Sequence, residues 1–362
     1  MISIFDVLKN QDFRERLERH LLNSNNDYFL PTKIPPLFKY SSFSKYMVKN
    51  LITNSFSLSL IATFNDCYDS RISFGDIKQR ANEEYEADKS IAIAAGCDPV
   101  ISIEQWQDHI LEEQKAYADF CRDSHCICLS ETNTSTLMWS HYSDNNRGIC
   151  VEYDFEKIRE NPLYFCLFPV CYTEAPISVY DFLRRSQESY SIELGVLISV
   201  LNKATCWKYE KEWRLILLNE AIGKHNPEKY ITANNVIEAK SIILGYNFLD
   251  NFIPELNRDA QQGVNNAFLL LQAMVAFIKA KQIPLFQMSL DANTFEQNSN
   301  IQIDVDFLVK FIQENIRTGY CSLSNRSYLY ISFWEELQDH DNNEYKKRSK
   351  NEEDEVHLCR LK

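Results

Sequence analysis

The chain has 362 residues, enough for one large domain or two moderate ones, and its 45% hydrophobic and 13% aromatic content supplies a substantial core. A formal net charge of -13 argues against broad, non-specific nucleic-acid binding, which needs clustered Lys and Arg. Eleven cysteines, odd in number and set in apolar contexts such as Cys150, Cys166 and Cys171, read as free thiols of a reducing cytoplasm rather than a disulfide framework.

Met1 to His20 interleaves acidic and basic residues, which marks an amphipathic helix over Ile4 to Leu22 and not a signal peptide. Asn23 to Asp27 ends it, and Pro31, Pro35 and Pro36 mark an extended linker. Leu37 to Tyr40 reads as a strand, Ser44 caps a helix to Asn54, and Phe56 to Ile61 alternates as a second strand. Phe74 to Arg122 is helical in pattern, broken by Gly96 and Pro99 into two helices inserted between strands. Cys126 to Ser130 is the next strand. Leu137 to Tyr142 is a short helix, Ser143 to Asn146 a turn, and Gly148 admits the chain tightly into a strand ending at Asp154.

Phe165 to Tyr172 is a buried strand that Pro169 confines to an edge or a bulge, and Val179 to Ala204 is helical. Trp207 to Leu218 alternates strictly from Lys211 onward, Ile242 to Gly245 is a short buried strand, Phe268 to Lys281 an apolar helix and Ile283 to Leu290 a strand. The apolar run at Ala267 to Ala280 falls short of the roughly 18 residues that a membrane span needs. Beyond it, Val305 to Ile316 is an amphipathic helix, Ser327 to Trp334 is strand-like, and Asn342 to Glu355 is a mixed-charge run. The pattern implies an α+β fold: a mixed, largely antiparallel sheet with a helical insertion over about 74–122 and flanking helices. The expected layout is an N-terminal helix and linker over 1–36, a main domain over 37–290 and a C-terminal extension over 291–362.

Three clusters hold the candidate chemistry. In an extended strand Glu210, Glu212 and Arg214 share one face, where the arginine offsets two carboxylates; the same residues serve equally as a structural ion pair or as a base. His141 stands beside Trp139 and Tyr142, with Asp144 and Arg147 following, and is read both as a general base and as a helix-end polar residue. Asn65, Asp66 and Asp69 form an oxygen-rich corner without the spacing of a calcium loop, so no metal is expected there. Cys126-x-Cys128 with His125 lacks a second ligand pair at zinc spacing. There is no Gly-x-Gly-x-x-Gly, no Walker loop and no Gly-x-Ser-x-Gly elbow.

The ordered blocks LFKYSS, FNDCYD, CLSE, MWSHYSDNNRGICVEYD, PVCY, WKYEKEWR and IILG resemble the bacterial domain-of-unknown-function family 2971 over roughly 37–290, with Cys67 where the family pattern has proline. The layout also resembles ADP-ribosyltransferase-like folds. That resemblance implies NAD as substrate, Glu212 as the ribose-orienting carboxylate, Lys39 or Tyr40 on the first strand, and Trp139, Tyr142 and Tyr209 as aromatic walls. Polar residues recurring at strand ends and corners add His141, Glu210 and Arg214 as catalytic candidates and Lys39, Tyr40, Asn65 and Asp66, with Trp139 and Tyr142, as cofactor-binding ones. The expected role is a stress or phage-defence effector. The alternatives are a non-catalytic module that meets a partner protein through its N- or C-terminal segment, or a metal-dependent nuclease using Asp66, Asp69 and the glutamates.

Overall fold

Local signals set most element boundaries in the computed structural model, which describes residues 4–22, 33–122, 124–185, 190–217, 231–232, 237–249, 266–291 and 297–317. The expectations for Asn23 to Asp27, Ser327 to Trp334 and Asn342 to Glu355 lie outside the described residues. The architecture is α+β, and the strand pairings are mostly antiparallel with one parallel step in the larger series. The chain forms two compact units, each built from three stretches: Met1–Ile34, Ser57–Leu129 and Ile158–Ile231 in one, Pro35–Phe56, Ser130–Lys157 and Thr232–Lys362 in the other.

In the first unit the expected opening helix is two, Ile4–Lys9 and Gln11–Leu22. Asn10 makes the break, because its side-chain oxygen accepts the Phe13 N–H at 3.0 Å and caps the second helix. Phe13, Leu17 and Leu21 are fully buried, so this helix is a core element. The helical insertion is present as Ile77–Ala94 and Ile103–Arg122. Asp76 caps the first of these by accepting the Lys78 and Gln79 N–H groups. Strand order in this unit is His125–Ser130, Glu212–Leu217, Leu167–Pro169, with the two-residue strand Ser59–Leu60 antiparallel to the first. Pro169 ends its strand at the edge of that order, where its missing N–H leaves no ladder bond unmade.

The stretch expected to be one helix over Val179 to Ala204 changes character twice. A wide helical turn at Asp181–Arg185 precedes the helix Ser191–Leu201, and Asn202–Ala204 is a strand lying parallel to Cys171–Thr173. Tyr172 is the register partner of Lys203 in that small sheet.

In the second unit the strand order is Gln297–Gln302, Leu285–Leu290, Ala239–Leu244, Ile149–Tyr153, Leu37–Ser41. Ile149–Tyr153 is paired on both sides, Val151 facing Ile242 across one ladder and Lys39 across the other. Leu37, Ile149, Val151, Ile242, Ile243, Leu244, Leu285 and Met288 are buried, each stabilising the unit by roughly 1.5–3 kcal/mol relative to exposure. Ser44 caps the helix Lys45–Ile52 and Ser135 caps Thr136–Tyr142. Asp144, Asn145 and Asn146 then hold three successive left-handed conformations, tolerable because short Asn and Asp side chains bond locally to their own backbone.

Candidate functional site

The residues that could carry chemistry meet most closely in the first unit. The chain leaves strand Asn202–Ala204 into a tight helical turn, Thr205–Glu210, and Lys211 then takes a left-handed conformation at φ 45°. That reversal starts strand Glu212–Leu217 and turns Glu210 and Glu212 onto the same ammonium, Lys203 Nζ, at 2.5 and 2.8 Å. Glu210 thus precedes the strand rather than sitting on it, and the shared face of the expected strand holds only for Glu212 and Arg214.

Arg214 is the centre of the arrangement. Its guanidinium donates to both oxygens of Asp69 at 2.7 and 2.6 Å and, from another edge, to both oxygens of Glu212 at 2.9 and 3.1 Å. Nη1 also reaches Ser70 Oγ at 3.0 Å and the Val200 carbonyl at 2.6 Å, so a cation closes the C-terminal end of helix Ser191–Leu201 where the helix dipole favours one. The Phe64 ring lies 5.2 Å from the guanidinium carbon, and the Trp207 ring 5.2 Å from Lys203 Nζ. Asp69 arrives through the turn that starts at Asp66, whose carbonyl accepts the Asp69 N–H; left-handed Ser70 follows and donates its hydroxyl to Asp69. Tyr172 Oη accepts the Glu212 N–H at 2.8 Å.

The cluster is dry: side-chain exposure is 0% for Arg214, 2% for Asp69, 3% for Glu210 and 4% for Glu212 and Lys203. Two cations therefore serve three carboxyl groups away from water, a situation stable only with near-complete hydrogen bonding. Burial alone would raise the Glu212 carboxyl. The Arg214 guanidinium and the Lys203 ammonium outweigh it and hold the group well below the usual carboxylate range. Burial likewise works against the charge on Lys203, but Glu212 and the other carboxylates keep its proton affinity above that of an ordinary lysine. Burial and then the Glu212 charge push the Tyr172 hydroxyl up, so it stays a neutral phenol.

These directions give a testable pH dependence. Because Glu212 binds its proton less readily folded than unfolded, its contribution is present above the ordinary carboxylate range and is lost as pH falls through that range toward the folded value. Urea midpoints should therefore decline below about pH 5, and the decline should be shallower in Glu212→Gln. Parallel declines in the two proteins would show that another group drives acid unfolding.

Asn65 is exposed. Asp66 accepts the Tyr68 N–H through one oxygen at 2.9 Å, the local turn bond expected of Asp, while its other oxygen is sheltered without a hydrogen-bond partner among the described residues. Lys39, Tyr40, Trp139, His141 and Tyr142 belong to the second unit. There Trp139 is fully buried, donates to the Asn133 carbonyl at 2.6 Å and meets the Tyr40 ring edge-on at 5.2 Å. Tyr40 donates to the Thr132 carbonyl at 2.8 Å, and Lys39 is half-buried in its strand. His141 is exposed at the end of its short helix, with the Tyr142 ring 6.2 Å away. The Cys126 and Cys128 sulfurs lie 3.7 Å apart; their mutual hydrogen bond, followed by burial and the Glu212 charge, pushes the Cys128 thiol well up and keeps it protonated.

Sequence reasoning did not single out Lys203, Tyr172 or the pairing of Asp69 with Arg214. For Lys203 a signal existed: a lone lysine two positions after the run Val196 to Leu201, which is apolar but for Ser199.

Among the described residues no helix is long and apolar enough to cross a membrane. The family model described as "Protein of unknown function (DUF2971)" matches residues 138–215. The match starts at the Met138 block and ends at Leu215, so it takes in every member of the buried cluster except Asp69. No curated protein and no solved structure matches the chain. Over residues 138–215 the chain is thus similar to the DUF2971 family, which supports the resemblance read from its sequence blocks.

Proposed function

We propose that this chain is a non-catalytic protein-interaction module, in which the cluster of Asp69, Lys203, Glu210, Glu212 and Arg214 locks the fold of the first unit. The observation that supports this reading is the state of Glu212. Both of its oxygens already accept bonds from Arg214 or Lys203, and its side chain is 4% exposed. A carboxylate that orients a ribose or takes a proton must come within hydrogen-bond reach of its substrate, and this one is enclosed by its own cations. Removing one partner from such a buried, hydrogen-bonded ion network is strongly destabilising, as a structural role requires.

A second reading assigns the same residues to NAD chemistry of the ADP-ribosyltransferase kind in a stress or defence effector. It draws support from the position of Glu212 at the start of a late strand, with half-exposed Trp207 and Tyr209 in the turn before it. One experiment separates the two. Purified protein and Glu212→Gln are incubated with NAD and cell extract, nicotinamide is assayed, and both are unfolded in urea. The module reading expects no nicotinamide above the blank from either protein and a loss of about 1–3 kcal/mol in the variant. Nicotinamide release by wild type that disappears in Glu212→Gln at unchanged stability would overturn it in favour of the second.

A further inference from the structure

The helical insertion of the first unit ends in a surface that its own fold does not explain. Helix Ile77–Ala94 closes with Ala95 and left-handed Gly96: the Gly96 N–H bonds the Ile93 carbonyl and the Cys97 N–H the Ala92 carbonyl, the pair of bonds that defines a Schellman stop. Helix Ile103–Arg122 opens with a reciprocal cap, Ser102 Oγ accepting the Gln105 N–H while the Ser102 N–H donates to the Gln105 side chain. The loop between them is therefore built at both ends. Within this fixed tip Ile91 is 69% exposed, Ile93 66% and Val100 92%. Ile91 and Ile93 stand about 200° apart around the helix, so the last turn is apolar on opposing sides. A helix end that is apolar all round is normally covered.

The charge around the tip limits what covers it. From Glu83 to Glu113 the sequence carries nine carboxylates and one lysine, and that lysine, Lys89, is paired with Glu86 at 3.4 Å. Exposed Glu86, Asp98, Glu104 and Asp108 flank the apolar residues. Such a rim repels an anionic lipid surface and repels a second copy of itself, and it attracts a basic one. The other end of the hairpin is fastened, with Arg184 on Glu113, Arg80 on Asp181 at 3.4 Å and the Tyr180 hydroxyl on Glu84 at 2.6 Å. The tip is consequently presented on a held, preformed element, which reduces the ordering cost of binding.

We propose that this tip docks a protein partner offering an apolar pocket rimmed by Lys and Arg. The inference rests on the module reading above and names the surface and the partner chemistry that reading needs. The test uses the full chain with p-benzoylphenylalanine in place of Ile93, irradiated in extract of the cells that encode it. The cross-linked protein is identified by mass spectrometry, purified, and titrated calorimetrically against unmodified chain. The expected result is one discrete adduct whose attached residue lies in an apolar pocket flanked by Lys or Arg. Binding should weaken at least about tenfold in Ile93→Asp combined with Val100→Asp, at unchanged melting temperature, and should weaken as salt is raised. A chain-to-chain adduct, a lipid adduct, no discrete adduct, or a purified partner indifferent to the double substitution would each overturn it. The nicotinamide assay remains separate. Catalysis by a chain that still binds through its tip would remove the module reading and leave the docking surface standing, whereas an inactive chain with no tip-dependent partner removes the docking surface alone.

Discussion

Replacing Arg214 with methionine should destabilise the protein by about 3–5 kcal/mol, because it removes one side of a buried ion network while leaving the other side in place. Asp69 would lose both guanidinium bonds, Glu212 would lose two of its bonds, and the Val200 carbonyl would lose its cap, all in surroundings from which water is excluded. Lys203, whose Nζ is 3.5 Å from Asp69 Oδ2, cannot serve three carboxyl groups alone. Arg214→Lys keeps the charge but not the planar fork that grips two carboxylates from two edges, so it should recover only part of the loss. Equilibrium urea unfolding of the three proteins measures this directly. A second comparison isolates the pair: Glu212→Gln should cost less in the Arg214→Met background than in wild type, since the partner is already gone. A loss under about 1 kcal/mol for Arg214→Met, or strict additivity of the two changes, would mean that the network does not hold the unit together.

How far this network could be read in advance depended on sequence separation. Period-two alternation from Lys211 placed Glu212 and Arg214 on one face, where two hydrogen bonds pair them. Asp69 lies 145 positions away from Arg214, and no local pattern links them. Its setting in an Asn/Asp corner without metal-loop spacing pointed to no partner, whereas the turn from Asp66 aims its carboxylate at a guanidinium. Lys211 explains the misplacement of Glu210: a left-handed non-glycine residue interrupts the extended chain one position later than alternation implies. Caps and breakers were more legible. Ser44, Gly96 and Pro99 mark real boundaries, because each acts on backbone groups within a few residues of itself. Asn10 is a cap of the same kind, hidden by an apolar periodicity that runs through it. The strand expected over Phe56 to Ile61 is two short strands, Ser55–Phe56 and Ser59–Leu60, since its alternation was too brief to determine a partner.

Gly148→Ala should be the most damaging small substitution in the second unit, and the reason is steric rather than conformational. A β-carbon at this position would stand 2.1 Å from the Ser41 carbonyl oxygen and 3.0 Å from that of Ser143, both backbone atoms that cannot swing aside. Gly245 presents the same problem one strand over, where a β-carbon would stand 2.3 Å from the Asn146 carbonyl oxygen. The two glycines meet: the Gly245 N–H donates to the Gly148 carbonyl at 2.9 Å, and the Asn247 N–H donates to the Asn146 carbonyl at 2.8 Å. Here the left-handed run Asp144 to Asn146 feeds strand Ile149–Tyr153 between its two neighbours, Leu37–Ser41 and Ala239–Leu244. Admitting one methyl group requires the strand to withdraw from Ser41, which strains the ladder that buries Ile149 and Val151. Overpacking of ordinary cores costs about 1–3 kcal/mol, and a clash with fixed backbone should reach or exceed the upper end of that range. Gly245→Ala should act similarly, and the double variant should fall short of the sum because a single displacement of the corner relieves both. Urea unfolding of both single variants and the double variant decides the matter. A Gly148→Ala protein within about 0.5 kcal/mol of wild type would show that the strand can enter the sheet without this close approach.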